Sequence, residues 1–198
     1  MILTSDEGYF EKIGGFMSWK IKCMDKKYLT KSLDLVEQVF TESENAESGN
    51  MVRRLVEEIR SKRFYLPELE LIMTDEMDEV IGYAMFSGFH LEGRYEGELL
   101  LLSPVAVKTE LQRRHISKEL IEYGFEKARK MGYKAVIVEG NPQNYNPRGF
   151  ETSCNHWIFA GPGLQLPAPE CLMVKELAEG SLKTIKGIVD YSDYQYLT

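Results

Sequence analysis

The stretch "ELLLLSPVAVKTELQRRHISKELIEYGFEKARKMGYKAVIVEG", residues 98–140, changes its periodicity twice and so decides the fold. "ELLLLSPVAV" is apolar at successive positions, which predicts a strand covered on both faces. From Ile116 the pattern turns helical, with Ile116, Leu120, Gly124, Ala128 and Met131 on one side and Lys118, Glu122, Glu126, Lys127 and Lys130 on the other. Gly124 and Ala128 permit close approach to a sheet, and Gly132 supplies a C-terminal stop. "YKAVIVEG" is β-rich again and can lie parallel to the first strand after the helical crossover, so residues 98–139 predict a βαβ unit. Pro104 cannot donate to a strand ladder, which predicts a bulge near Ser103 and Pro104.

Outward from this unit the chain reads as one domain over residues 16–198, preceded by a loose, glycine-containing arm over 1–15. "FMSWKIKCM" predicts a first strand. Leu29, Leu33, Val36 and Phe40 predict a helix, "TESENAESGN" a polar loop, and Met51, Val52, Leu55, Val56 and Ile59 the apolar face of a second helix ended by Pro67. Residues 68–91 alternate around the acidic turn "DEMDEV" and predict an antiparallel hairpin with a solvated tip. Beyond the βαβ unit come the loop "NPQNYNPRGFE" with one helical turn, a strand "ETSCNHWIF", a Gly/Pro-rich loop and a strand "CLMVKEL".

The formal charge of -7, from 31 acidic against 24 basic residues without a block of like charge, disfavours nucleic acid and anionic membranes and favours a cationic or neutral small partner. Cys23, Cys154 and Cys171 are odd in number and widely spaced, which predicts free thiols in a reducing cytoplasm. No apolar run approaches the roughly 20 residues of a membrane span.

"QRRHIS", Gln112 to Ser117, opens the helix beside Lys118. A helix start leaves backbone N–H groups unsatisfied at the positive end of its dipole, and Arg113, Arg114 and Lys118 add formal charge there. The alternatives are a phosphate site and a plain basic strand-to-helix turn. Cys154 and His156 in "SCNHW" would share a strand face and raise the rival of an activated thiol, with a buried free cysteine as the commoner outcome. His90 and His115 lack metal-ligand spacing, and no metal is expected.

The order of elements together with "VAVKTELQRRHIS…YNPRGFE" resembles the GCN5-related N-acetyltransferase (GNAT) superfamily, whose signature is Q/R-x-x-G-x-G/A between the fourth strand and third helix. The resemblance covers most of the chain, and the tail "PECLMVKELAEGSLKTIKGIVDY" is similar to the closing strand of a bacterial branch. Gln112 matches the first signature position, while His115 and Ser117 stand where Gly and Gly or Ala are preferred. The resemblance implies an α/β fold with a mixed, strongly twisted sheet flanked by helices, whose central parallel strands splay to admit acetyl-CoA. Val105, Ala106 and Val107 would meet the pantetheine amides through backbone left unpaired by the bulge, and the pyrophosphate would lie over Arg113, Arg114, His115, Ile116, Ser117 and Lys118 next to Gln112.

Tyr145, four residues before Gly149-Phe150, holds the place of the family tyrosine that protonates the departing thiolate. A phenol with pKa near 10 suits that task at neutral pH. Leu101 occupies the strand position where family members often carry a general-base glutamate, which leaves Glu98, Glu139 (equally readable as a surface charge), His156, water, or no base at all with the amine arriving neutral. Glu42, Glu44 and Glu47 lie in the segment that would wall the acceptor pocket, as lures for a cationic amine or as solvated loop. The implied activity is cytoplasmic acetyl transfer to a primary amine of a small molecule or protein, by direct attack in a ternary complex, with a homodimer possible. The alternative is a noncatalytic module that keeps the fold and binds CoA or a partner.

Overall fold

The computed structural model describes residues 8–11 and 18–197. Its strands are β1 (Gly8–Glu11), β2 (Ser18–Cys23), β3 (Glu70–Thr74), β4 (Val80–Leu91), β5 (Arg94–Val107), β6 (Ala135–Glu139), β7 (Glu151–Thr152), β8 (Ile158–Ala160), β9 (Leu172–Glu176) and β10 (Gly187–Val189). The helices are α1 (Leu29–Ser43), α2 (Ala46–Ser61), α3 (Ile116–Lys130) and the single turn α4 (Pro142–Tyr145). Eight strands form one mixed sheet in the order β1-β2-β3-β4-β5-β6-β9-β7, and β10 and β8 form a small parallel pair. Of the arm expected over 1–15, Gly8–Glu11 pair antiparallel with β2, and the remainder lies outside the described residues, as do Phe16 and Met17 of the first predicted strand.

The βαβ unit is present: β5 and β6 run parallel across α3, with Leu99 opposite Ala135 and Leu101 opposite Ile137. Strand alternation explains why these runs are apolar throughout. Leu99, Leu101, Ala135 and Ile137 pack with α1 and α2 on one face, while Leu100, Leu102, Val136 and Val138 pack with α3 on the other. Gly124 seats α3, because a Cβ there would lie 2.2 Å from Cε2 of Phe86. Phe125 and Ile121 join the buried face of α3, whereas Met131, expected on it, is 42% exposed at the helix end.

The bulge is also present: Ala84 faces Val105 and Phe86 faces Leu102, so β4 advances two residues while β5 advances three through Ser103 and Pro104. Its consequence differs from expectation. Val105, Ala106 and Val107 pair normally with β4; the open edge is the one toward β6, because pairing with β6 ends at Leu101 and Ile137. The splay of the parallel strands exposes the backbone, and the bulge bends β5 away at the same level.

Several local expectations are corrected. The segment "TESENAESGN" is mostly helix, since α1 runs to Ser43 and α2 starts at Ala46 with Asn45 as its cap, its Oδ1 accepting from Ser48 N–H at 3.0 Å. Helix α2 ends at Ser61, before Pro67, and Met51 is 36% exposed. "ETSCNHWIF" is broken by a 3-10 turn at Ser153–His156, so Cys154 and His156 share no strand face. The hairpin tip is tied down, with Asp78 accepting from the Tyr28 hydroxyl at 2.5 Å and from Lys22 Nζ at 2.6 Å. After β9 the tail recrosses the molecule, adds β10 beside β8, and buries Tyr191 and Tyr194 against the α1–α2 face.

A buried ion pair fixes that face. Glu70 in β3 is fully buried and accepts from Arg60 of α2 at 2.6 Å and from the Tyr65 and Tyr83 hydroxyls, each at 2.6 Å. Arg60 also donates to Ser32 of α1 at 2.8 Å, so one network holds both helices on the sheet. Every partner is satisfied, the condition under which a buried charge is tolerated.

Candidate active site

Between β5 and α3, Thr109–Leu111 form one 3-10 turn, and Gln112 folds its side chain back to the Val107 carbonyl at 3.5 Å. Arg113 and His115 then adopt left-handed backbone, φ 62° and 68°. His115 is thus in the conformation that the signature glycine adopts without steric cost. The helical ladder begins with Glu119 N–H on the His115 carbonyl, 3.0 Å, which places the N–H groups of Ile116, Ser117 and Lys118 in the first turn, at the positive end of the helix.

A cavity of about 570 Å³ lies against this helix start. Val105, Val107, Gln112, Arg113, His115, Ile116, Ser117 and Tyr145, all expected at the site, line it. Three other expected residues do not. Ala106 points to the opposite face of the sheet, where it packs in the same cluster as Tyr83. Arg114 is exposed, and Lys118 pairs loosely with Glu122 at 3.9 Å one helical turn on.

One side chain without an expected role stands on the cavity wall. Arg148 donates through Nη2 to Ser117 Oγ at 3.1 Å and through Nη1 to the Asn144 carbonyl, while its Nε is buried without a partner. Its sequence signal was slight, a single basic residue directly before Gly149-Phe150.

Tyr145 closes α4, which is capped by Asn141 Oδ1 accepting from Gln143 N–H at 2.9 Å. Its ring meets Phe150 edge-on at 5.5 Å, and Phe150 leans on Phe125 of α3 at 5.7 Å. A Cβ at Gly140 would come within 2.6 Å of Tyr145 Cε2, so the missing side chain is what lets the ring sit there. Burial raises the Tyr145 pKa above 10.0 against a smaller opposing effect from Arg148, which keeps the phenol protonated at neutral pH.

A second cavity, of about 550 Å³, shares Val105, Asn144 and Tyr145 with the first and continues over the Ser103–Pro104 bulge. Its walls come from α1 and α2, the end of β6 and the C-terminal segment. Glu139, at the end of β6, opens into it, and burial raises its pKa above 4.5. The Tyr191 hydroxyl is buried, faces the Glu139 carboxylate and makes no hydrogen bond of regular geometry. Glu44 lines this cavity, whereas Glu42 and Glu47 do not. Glu42 instead accepts from Thr109 Oγ1 at 2.5 Å, which with Gln38 lowers its pKa.

The remaining candidates lie elsewhere. Glu98 is paired with Lys134 at 2.5 Å and lines neither cavity. His156 bonds Glu151 at 2.9 Å, and Cys154 is exposed, so the rival thiol site is not assembled. Among the described residues no three His, Cys, Asp or Glu side chains are grouped to hold a metal ion, and no helix is long and apolar enough to cross a membrane.

The model of the Acetyltransferase (GNAT) family matches residues 33–150, from α1 through Phe150. The chain belongs to this family. Consistent with that, it is 28% identical over 142 residues to the uncharacterized N-acetyltransferase YhbS of Escherichia coli K12, covering 71% of this chain and 81% of that protein. It is 27% identical over 153 residues to YjhQ of the same organism, another uncharacterized N-acetyltransferase, covering 75% of this chain and 80% of that protein. The crystal structure of E. coli YhbS in complex with CoA superposes with a TM-score of 0.78 at 25% identity, over 91% of this chain and 93% of that one. A GNAT acetyltransferase from Brucella melitensis in complex with acetyl-CoA shares the fold, with a TM-score of 0.57 at 23% identity over 67% of this chain and 82% of that one. As a GNAT acetyltransferase the chain is expected to use acetyl-CoA, and the first cavity fits that molecule chemically. It offers an open strand edge for amides and first-turn N–H groups for an anion, with the Arg148 guanidinium on its wall.

Proposed function

We propose that this GNAT acetyltransferase moves the acetyl group of acetyl-CoA to a primary amine of a small molecule or protein, by direct attack in a ternary complex, in the cytoplasm and without a metal. The carrying observation is that two cavities, one beside the open β5 edge and the α3 start and one beside the bulge, meet at Val105, Asn144 and Tyr145. In this reading, backbone N–H groups at the end of β5 near Val107 polarise the thioester carbonyl, in the manner of an oxyanion hole. The first-turn N–H groups 116–118 and Arg148 hold the phosphate-bearing end. Tyr145, protonated at neutral pH, gives its proton to the sulfur as the C–S bond breaks.

Calorimetry with acetyl-CoA and CoA, followed by thiol release over an amine panel, tests the reading. Tyr145→Phe should lower kcat by roughly 100-fold, the size of a lost general acid, with acetyl-CoA affinity kept within about twofold. Unchanged turnover would remove Tyr145 from that role. Binding without release for every amine would favour the noncatalytic module, and no binding would sink both.

A further inference from the structure

We infer that the second cavity takes a cationic primary amine with an apolar body, and that Glu139, faced by Tyr191 from the C-terminal segment, receives the ammonium group and removes its proton. This rests on the acetyl transfer proposed above and adds the acceptor class and the base.

The lining decides the class. Phe40, Met51, Leu55, Tyr196 and Leu197 give the cavity an apolar and aromatic wall, and its ionisable groups are Glu44, Glu139 and tyrosines. Among the described residues no Lys, Arg or His side chain lines it, and Arg54, which stacks on the Tyr196 ring at 5.8 Å, is not part of the lining. An anionic acceptor would meet carboxylates with no compensating cation, whereas an ammonium group meets two carboxylates and aromatic faces. Exposed Met51 offers the apolar body a contact that the protein itself leaves open.

Position decides the base. Glu139 directly precedes Gly140, the residue against which the Tyr145 ring packs, so base and acid stand at one junction. Tyr191 faces the Glu139 carboxylate, with Glu44, Tyr145 and Tyr196 sharing the cavity. The buried Tyr191 hydroxyl, without a regular partner, is placed to donate to Glu139 and so to hold the carboxylate toward the cavity. The protons balance as follows. The ammonium gives one proton to the Glu139 carboxylate, which passes it to solvent, and the freed nitrogen lone pair forms the C–N bond. The nitrogen of the tetrahedral adduct gives its second proton to Glu139 as the C–S bond breaks and Tyr145 protonates the leaving sulfur. Solvent then carries that second proton from Glu139 to the Tyr145 phenolate, so each turnover releases one proton.

The test uses the whole protein and two readouts. Titration of 2-phenylethylamine into protein saturated with CoA, which carries no acetyl group, should show binding that weakens about tenfold or more in Glu139→Gln. Acetyl-CoA affinity of that variant should stay within about twofold of the parent, which shows that it is folded. In thiol release with acetyl-CoA, 2-phenylethylamine and 1,5-diaminopentane should outpace glutamate. Glu139→Gln should cut kcat/KM about 100-fold at pH 7, the scale of a lost general base, with Tyr191→Phe intermediate. The loss in Glu139→Gln should shrink about tenfold per pH unit toward the pKa of the amine, because the nucleophile then arrives neutral. Equal rates in Glu139→Gln, preference for glutamate, or no transfer to the cationic amines while acetyl-CoA binds would overturn the inference alone. Loss of acetyl-CoA binding in the parent protein would instead overturn the acetyl-transfer reading on which it rests.

Discussion

The two cavities that meet at Tyr145 are built in opposite ways. The cavity proposed for acetyl-CoA draws most of its wall from one continuous stretch, Val105 to Ile121, and the groups proposed to bind there are mainly backbone N–H and C=O at a strand edge and a helix start. The cavity proposed for the acceptor gathers α1, α2, the bulge, the end of β6 and the C-terminal segment, and the groups proposed to bind there are side chains. Backbone donors tolerate changes of side chain, which is how His115 can stand where the family prefers glycine. A wall made of side chains from distant segments changes with each of them, so acceptor choice can vary while the fold and the use of acetyl-CoA persist.

The comparison can be broken most directly at Arg148, among the described residues the one charged side chain that lines the first cavity from outside the continuous stretch. Arg148→Ala should raise the acetyl-CoA Kd by about 10- to 100-fold, as expected for hydrogen bonds to a charged partner worth roughly 1.5–3 kcal/mol, read by calorimetry. An effect under twofold would mean that backbone alone holds the ligand. Tyr196→Ala should sharpen the contrast, with KM for a cationic amine rising about tenfold, near the value of half-burying an aromatic ring, and acetyl-CoA affinity unchanged. A matching loss of acetyl-CoA binding would show that the cavities are one energetic unit. His115→Gly should have the smallest effect. It relieves left-handed backbone costing about 1 kcal/mol, so thermal stability should stay equal or rise, and acetyl-CoA should bind equally or better. A large loss of affinity would mean that the imidazole itself touches the ligand.

Local periodicity made the β5–α3–β6 unit and the hairpin legible, because each burial pattern follows from neighbours three, four or two residues away. "LLLL" reads as doubly covered, and Leu99 and Leu100 do point to opposite cores. The same reasoning failed where a short segment is held by contacts from afar. "ETSCNHWIF" alternates well enough for a strand, yet it turns at Ser153–His156, and Glu151 and Thr152 pair with β9 while Ile158 pairs with β10. The polar segment 41–50 looked like a loop because Ser, Thr and Asn favour caps and turns, and Asn45 does cap, but helices continue on both sides of it.

The sequence by itself determined most of the first cavity's wall: the crossover, the bulge, the helix start at Gln112–Ser117 and the tyrosine before Gly149-Phe150 are all local in the chain, and local geometry fixes backbone donors. Only the tertiary structure decided the rest. It brought Arg148 onto Ser117 at the first cavity, separated Glu98 from both cavities by pairing it with Lys134, and set Tyr191 and Glu139 facing each other although their numbers differ by 52. The physical reason is that side-chain partners across such distances are chosen by packing of the finished core, a property of the whole chain that no short window of residues contains.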